Sequence, residues 1–361
     1  ASVLAVAALS ASPALAGPVY ENASGGTITW YGHFSPTILS FDDGEDTYDE
    51  IADNSASASR VGIRIKQPFT SGELEFNFET ELGLRETDEI SQTETPDGIN
   101  WERTEIRKVD FKWNTPNFGS FSLGQGSMAS DGVADTDLSG TTLANSVDVA
   151  ELADTFQFRD STGALSGIEI DDAFSSFDGA RLGRIRYDSP EFSGFTFSAS
   201  YGADILDPDD DEVFDIAARY EGEIGDFEVE GSLAVIWTQR EDREDRQDTV
   251  GSFSVLHASG FNATVAAGDR DTGGTYGYVK VGYRADFFSF GETRMSFDYQ
   301  AGEDFVSDGS ESTAYGVAIS QRIDDLNLEA YFGYRNYEFE DESTTEYQEA
   351  EAFILGARWR F

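Results

Sequence analysis

Two sets of charged side chains in this 361-residue sequence are spaced so that they could act together. The first is acidic. Residues 127–180 carry eleven carboxylates (Asp131, Asp135, Asp137, Asp148, Glu151, Asp154, Asp160, Glu169, Asp171, Asp172, Asp178) against one base, Arg159. Within it, VDVAELADTFQF spaces Asp148, Glu151 and Asp154 three apart, which predicts that they share one side of a short helical turn. The second set is basic. Arg60, Arg64 and Lys66 alternate with Val61, Ile63 and Ile65, while Arg184 and Arg186 alternate with Ile185 and Tyr187. Alternation at period two puts each basic set on one face of a strand. Fixed charges of opposite sign facing each other across a gap order water and orient polar solutes. Covalent catalysis would need a nucleophile with a base beside it. The chain has two histidines, His33 in a strand pattern and His257 at a turn, and nothing in their positions pairs either with a serine, so the sequence argues against an enzyme. The plainer reading of the basic face is pairing with Glu73, Glu75 and Glu79 on the next strand. A third acidic run, Asp207, Asp209, Asp210, Asp211 and Glu212, offers hard oxygens for Ca2+ but lacks the ligand spacing and glycine of an EF-hand; it reads as solvated loop charge, with calcium as a minor alternative and no other cofactor implied.

Composition bounds the partners. With 24 Lys+Arg against 69 Asp+Glu, the net charge of -45 argues against nucleic acid and against a basic membrane-surface anchor. Low hydrophobicity with high charge would suit a disordered chain, but 28 Phe, 15 Tyr and 5 Trp do not. No cysteine is present, so the fold uses no disulfide framework. The opening ASVLAVAALSASPALA, ending in Ala14-Leu15-Ala16, reads as a signal-peptide remnant over residues 1–16, leaving 17–361 as a single exported domain. The longest uncharged apolar patch after it, SLAVIW at 232–237, is far too short for a transmembrane helix.

The elements that would position the charges are strands. Period-two alternation predicts sixteen, at 26–41, 59–67, 73–85, 101–114, 120–128, 181–188, 194–203, 213–222, 227–238, 249–257, 260–269, 275–286, 291–301, 312–323, 326–339 and 349–361. FDDGEDTYDE, after the first, reads as a loop. Arg219, Arg358 and Arg360 fall on inward faces by parity. In strand 101–114 the parity is ambiguous, since Arg103 and Arg107 align with Val109, Phe111 and Trp113, and a bulge would bring either inward. Short turns alternate with long polar loops, the pattern of a transmembrane barrel, whereas a sandwich or propeller does not sort its loops into two length classes. Aromatics gather at strand ends (Trp30, Tyr31, Trp113, Tyr187, Phe192, Phe287, Phe288, Trp359), as in the girdles that sit at headgroup level. A connection of some fifty residues is beyond ordinary loop length and points to function, here a loop that folds into the barrel and narrows it. The predicted fold is therefore an all-β transmembrane antiparallel β-barrel of sixteen strands with an inward-folded long third external loop.

Three segments make the likeness more specific. The turns TPNFGSFSLGQ (115–125) and RIRYDSPEFSGFTF (184–197), and the final strand AEAFILGARWRF with Phe353, Leu355, Ala357, Trp359 and terminal Phe361 on one face, resemble those of Gram-negative general diffusion porins, especially the alphaproteobacterial type. Strand number, loop asymmetry and terminal Phe extend the resemblance over the mature chain. It implies a bacterial outer-membrane location, a homotrimer in contact with lipid and lipopolysaccharide, and barrel assembly guided by Phe361. It implies a water-filled channel for passive diffusion of small hydrophilic solutes and ions. The constriction would set the acidic loop, with Asp148, Glu151 and Asp154, against a basic wall of Arg60, Arg64, Lys66, Arg184 and Arg186. Because acids outnumber bases, weak cation selectivity is expected. The alternatives are a substrate-specific channel, in which stacked aromatics would favour sugars or a longer Arg/Lys ladder phosphate, and a soluble exported β-rich binding protein.

Overall fold

The computed structural model describes residues 19–207, 211–241 and 243–361. The expected signal-peptide remnant at 1–16 lies outside these residues. The chain crosses the barrel wall sixteen times, as Thr27–Phe34 continued by Pro36–Asp42, Thr47–Asp53 continued by Arg60–Phe69, Gly72–Glu81, Ile106–Thr115, Gly119–Ser127, Arg181–Asp188, Phe195–Ala203, Glu212–Ile224, Phe227–Gln239, Arg246–His257, Phe261–Arg270, Thr275–Phe288, Gly291–Glu303, Glu311–Ile323, Leu328–Glu340 and Ala350–Arg360. Each crossing pairs antiparallel with its sequence neighbours. The sheet closes where the last strand meets the first, at His33↔Arg360, Phe34↔Trp359 and then Thr37↔Gly356 through Asp42↔Glu351. Val19–Glu21 folds back on Thr27–Thr29 and extends this seam towards the rim. Closure leaves no unpaired edge, which backbone in a bilayer requires. No helix among the described residues is long and apolar enough to cross a membrane.

The predicted strands are present, with two corrections near the start. FDDGEDTYDE is not a loop: Thr47–Asp53 is a strand paired with Pro36–Asp42, and the turn is confined to 43–46. Its carboxylates mimic loop composition because the strand lies at the outer rim, where Asp49 on its outer face is exposed while Tyr48 and Ala52 on the inner face pack against the buried cluster. Secondly, the first two crossings are kinked, at Ser35 and at the 3-10 turn Ser55–Ser57. At the opposite rim the turns are tight. Gly119 takes φ +74, and a Cβ there would lie 2.0 Å from the Asp188 carbonyl oxygen, so this turn admits glycine alone.

Alternation separates the two sides of the wall. Outward positions are apolar and exposed, including Trp30, Ile38, Phe111, Leu123, Ile185, Phe197, Phe253, Val281, Phe297, Val317 and Leu355. Near the short turns aromatics pair across strands, with ring centroids 5.8 Å apart for Phe69 and Trp113, 5.0 Å for Phe121 and Tyr187, and 4.8 Å for Phe261 and Tyr283.

Buried apolar packing is concentrated inside the barrel. Leu143, Val147, Val149, Leu152, Phe156, Phe158, Ile170 and Phe174 of the long acidic segment form one cluster with Leu39, Phe41, Tyr331, Tyr337, Phe339, Ala350, Ala352 and Ile354 of the wall. Phe41 and Phe156 stack at 3.9 Å. Strands on either side of the closing seam are thus apolar on both faces, one for lipid and one for the loop. Each fully buried Leu, Ile or Phe in such a cluster contributes roughly 1.5–3 kcal/mol, enough for a few to hold a loop in the lumen. Polar anchors fix its register. Lys280, fully buried, bonds Asp137 Oδ2 at 2.5 Å and the Asn145 carbonyl. Arg335 reaches Asn145 Oδ1 at 2.6 Å and Asp298 at 3.0 Å, Asn54 donates to the Leu143 carbonyl at 2.8 Å, and Tyr337 donates to the Val149 carbonyl at 2.8 Å.

Candidate functional site

Where the acidic segment leaves the wall, a space of about 560 Å³ remains between it and strands on two sides of the barrel. Arg60, Arg107, Arg181, Arg246 and Arg270 line it from the wall. Asp131, Asp135, Asp148, Glu151 and Asp178 line it from the loop, and Asp248 from the wall. Serines fill much of the remainder: Ser55, Ser57, Ser175 and Ser176.

Four of these arginines are held by carboxylates on the wall and Arg181 by one on the loop. Arg107 bonds Glu79 at 2.9 Å and also pairs with Glu81, and Arg60 stands 3.9 Å from each of the same two groups. Arg246 and Arg270 share Asp248, at 3.1 and 2.7 Å. Arg181 lies 3.5 Å from Asp131. By contrast, Asp135, Asp148, Glu151 and Asp178 form no ion pair among the described residues. Asp148 accepts from Ser176 Oγ at 3.3 Å, Glu151 from Ser146 Oγ at 3.0 Å, and Asp178 from the N–H groups of Gly132 and Ala134 at 2.6 and 2.9 Å.

Crowding without counterions raises their proton affinity. Burial, then the charges of Asp135 and Asp171, pushes Asp148 up to about 6. Burial, then Asp148 and Asp135, holds Glu151 well above the usual carboxylate range. Asp178 is pushed up to about 7 by burial, against the pull of its two N–H donors. At neutral pH this ledge is therefore partly protonated, and its charge changes within a mild acid range.

The predicted site residues divide. Asp148, Glu151 and Arg60 meet across the cavity. Asp154 does not join them: residues 148–154 form turns, not a helical turn, and the short helix of the segment is Ile170–Ala173. Asp154 is instead packed near Asp88, with Oδ1 buried and unpartnered, and burial followed by Asp148 and Asp88 pushes it up to about 9. Arg64, Arg184 and Arg186 line a separate space of about 210 Å³ nearer the short turns, with Glu75, Asp110 and Asp188. There Arg64 pairs with Glu75 at 3.2 Å, Arg184 with Asp110 at 2.6 Å and Arg186 with Asp188 at 2.7 Å. Lys66 lies 3.3 Å from Glu75 and 3.8 Å from Glu73, so pairing with the adjacent strand is what this face shows. Arg219 reaches inward to the Asp131 carbonyl at 2.8 Å, while Arg358 and Arg360 gather on Glu329 at 3.0 and 3.7 Å.

Arg107 enters the cavity through a bulge. The ladder passes from Glu79↔Lys108 to Thr80↔Ile106 and skips it, which reverses its facing. Arg103 stays exposed on a 3-10 turn. Arg246 and Arg270 escape the sequence reading because their strands run past the predicted ends, where charged loop composition hides a cross-strand pair, Asp248↔Arg270. The signal was parity: Arg246 and Asp248 continue the inward face of Val250 and Ser252.

Of the calcium candidates, Asp209 lies outside the described residues and Asp211 is 3.5 Å from Arg243. Among the described residues, Glu81, Glu86 and Glu105 bring three carboxylates within 4.8 Å of one another.

The middle of the acidic segment stays out of the cavity. Gln157–Arg159 and Leu165–Glu169 form a hairpin at the outer mouth. Arg159, the segment's one base, bonds Asp43 at 2.7 Å and Tyr48 at 3.0 Å, and Ser161 N–H donates to the Glu346 carbonyl at 2.7 Å.

Comparison with known proteins follows this geometry. Residues 1–342 match a family model described as Gram-negative porin. No curated protein matches. Among solved structures, the anion-selective porin from Comamonas acidovorans superposes with a TM-score of 0.62 at 14% identity, covering 93% of this chain and 100% of that one. A loop L8 deletion mutant of OmpT from Vibrio cholerae gives 0.58 at 17%, covering 93% and 99%. Salmonella typhi OmpF in complex with daunomycin gives 0.55 at 13%, covering 95% and 100%. At such identities the structures show a shared fold.

Proposed function

The chain belongs to the Gram-negative porin family, and from that premise we infer that it is an outer-membrane channel for passive diffusion of small hydrophilic solutes and ions, weakly selective for cations. The observation that carries this reading is the mixed-charge cavity between the inward loop and the wall. Solutes pass through water between the carboxylate ledge and the arginines, so a polar molecule keeps hydrogen-bonding partners throughout, while an apolar one must break ordered water. No bond is made or broken and no cofactor takes part.

The cation preference rests on how the charges are paired. Each arginine of the cavity lies against a wall carboxylate or Asp131, whereas Asp135, Asp148, Glu151 and Asp178 stand without cationic partners, so the field left in the passage is negative. A sugar or phosphate channel is a weaker reading. Phe177 is the one aromatic side chain lining the cavity among the described residues, and the arginines form pairs with acids and not a free ladder. We further propose the alphaproteobacterial type, on the two Pro-aromatic-Gly turns, and a homotrimer, as in the V. cholerae OmpT structure described as a trimer form. Contact with lipopolysaccharide and assembly through terminal Phe361 complete this reading.

Single-channel recording of detergent-purified protein in a planar bilayer under a KCl gradient tests it. Stepwise insertions in threes, ohmic current and a reversal potential favouring K+ are expected. Absence of conductance from folded protein would overturn the channel, and a reversal potential favouring Cl− would overturn the selectivity.

A further inference from the structure

We propose that Phe177 is a positioning residue that sets the second basic cluster, Arg246 and Arg270, on the rim of the passage and thereby tunes ion preference, an inference that rests on the channel reading above. Phe177 has φ 54, a left-handed conformation that a bulky side chain adopts only where its surroundings compensate. The compensation is a socket in the barrel wall. Its ring is 3% exposed and meets Tyr276 edge-on at 5.7 Å and Phe305 at 5.4 Å. Two glycines make the room: a Cβ on Gly268 would lie 2.7 Å from Phe177 Cδ2, and one on Gly274 would lie 3.1 Å from its Cζ. Tyr276 Oη donates to the carbonyl of Ser176 at 2.8 Å, fixing the preceding residue.

The open face of the ring is covered by Arg270, whose guanidinium carbon stands 4.2 Å from the centroid. On its other side Arg270 grips Asp248 with Nε at 2.7 Å and Nη2 at 3.2 Å, and Arg246 shares that carboxylate. The guanidinium is therefore held between an aromatic face and an anion, both favourable to a cation that has given up water. Phe177 is joined along the chain to the opposite charge as well. Its neighbours along the chain are Ser176, which donates to Asp148, and Asp178, which lies on the cavity. One side chain thus fixes the distance between the carboxylate ledge and the second basic cluster.

Bilayer recordings and gel mobility of unheated protein, comparing wild type with Phe177→Ala, Phe177→Leu and Gly268→Ala, test this. In folded Phe177→Ala, Arg270 loses its cover and extends into the passage. The K+/Cl− permeability ratio is expected to fall roughly twofold while conductance rises, as a mobile cation in a narrow polar passage would cause. Phe177→Leu fills the socket without the aromatic face, so conductance returns to the wild-type value and the ratio stays low. Gly268→Ala presses from the wall side on both Tyr276, at 2.5 Å, and Phe177, at 2.7 Å, displaces the ring and reproduces the fall in ratio, which keeps the inference testable should Phe177→Ala not fold. Folded variants with wild-type ratios, or full recovery of the ratio in Phe177→Leu, would overturn it and leave the channel standing. A wild-type protein that does not conduct would remove the channel reading itself.

Discussion

Asp148 and Glu151 border the same water as Arg60, yet their charges are not equally available, and pH separates them. An unfolded Asp titrates at about 3.9, whereas burial and the neighbouring acids push Asp148 up to about 6 and hold Glu151 well above the usual carboxylate range. A carboxyl whose folded value is raised binds its proton more tightly in the folded state. Its contribution to loop packing is therefore complete below the unfolded value and is lost as pH rises through the folded value. Permeation responds in the opposite sense, because protonation removes the unpaired negative charge while the arginines stay charged. The K+/Cl− ratio is predicted to fall as pH drops through 7 and then 6, where Asp178 and Asp148 take up protons, when measured from reversal potentials in one KCl gradient. Asp148→Asn should lower the ratio at pH 7.5 and flatten the part of the profile centred near 6; an unchanged profile would remove Asp148 from the passage. At this scale the sequence was only partly legible. Alternation correctly turned Arg60, Arg64, Arg184 and Arg186 away from the lipid, but it carries no information on height along the strand, and only Arg60 stands at the main cavity. Parity left Arg107 undecided between a lipid-facing position and the bulge that turns it inward, and Asp154 was placed on a helical turn that does not form.

The element that decides the shape of the lumen is the loop after Gly119–Ser127, and its anchoring is a matter of two kinds of burial. Its apolar residues pack against the doubly apolar strands of the closing seam, and that pattern was present in the sequence: Leu39 and Phe41 alternate with Ile38, and Ala352 and Ile354 with Phe353 and Leu355. Two apolar faces on one strand mean that something covers the inner one. The loop's excess length was also open to a physical reading, since residues 157–169 hold Arg159, the one base able to tie a hairpin to acidic Asp43 at the mouth. What pattern could not supply was the partner of Lys280, because it shares one inward face with Arg284 and either base matches any acid of the segment. The structure selects Asp137, with both side chains buried, 0% and 1% exposed. Replacing buried ion pairs by apolar groups is often neutral, whereas deleting one partner strands the other charge at a cost of roughly 3–5 kcal/mol. Lys280→Met should accordingly lower the temperature at which the folded band is lost on gels and give noisy, fluctuating conductance. The double variant Lys280→Met with Asp137→Leu should recover much of both. Equal behaviour of single and double variants would mean that the pair does not anchor the loop.

Across the whole molecule, the two signs of charge are sorted by position. Arg85, Arg103, Arg159, Arg240 and Arg243 lie outside the barrel strands, and every other lysine and arginine lies on one. The turns and loops at the outer mouth carry acids in excess, among them Glu45, Asp46, Glu89, Glu94 and Asp97. The net charge of -45 therefore says little about the wall of the passage and much about its approach. Charges at the mouth act on ions over distances set by screening, about 10 Å at 0.1 M salt and about 3 Å at 1 M. The carboxylate ledge lies within a few ångströms of any ion in the cavity and is screened far less. The two contributions to cation preference should separate with ionic strength. In KCl gradients of fixed ratio, the K+/Cl− permeability ratio is predicted to decline from 0.1 M to 1 M and to level off at a value still above one, with the remainder lowered by Asp148→Asn. A ratio independent of salt would assign selectivity to the ledge alone, and a ratio that reaches one in 1 M KCl would assign it to the mouth.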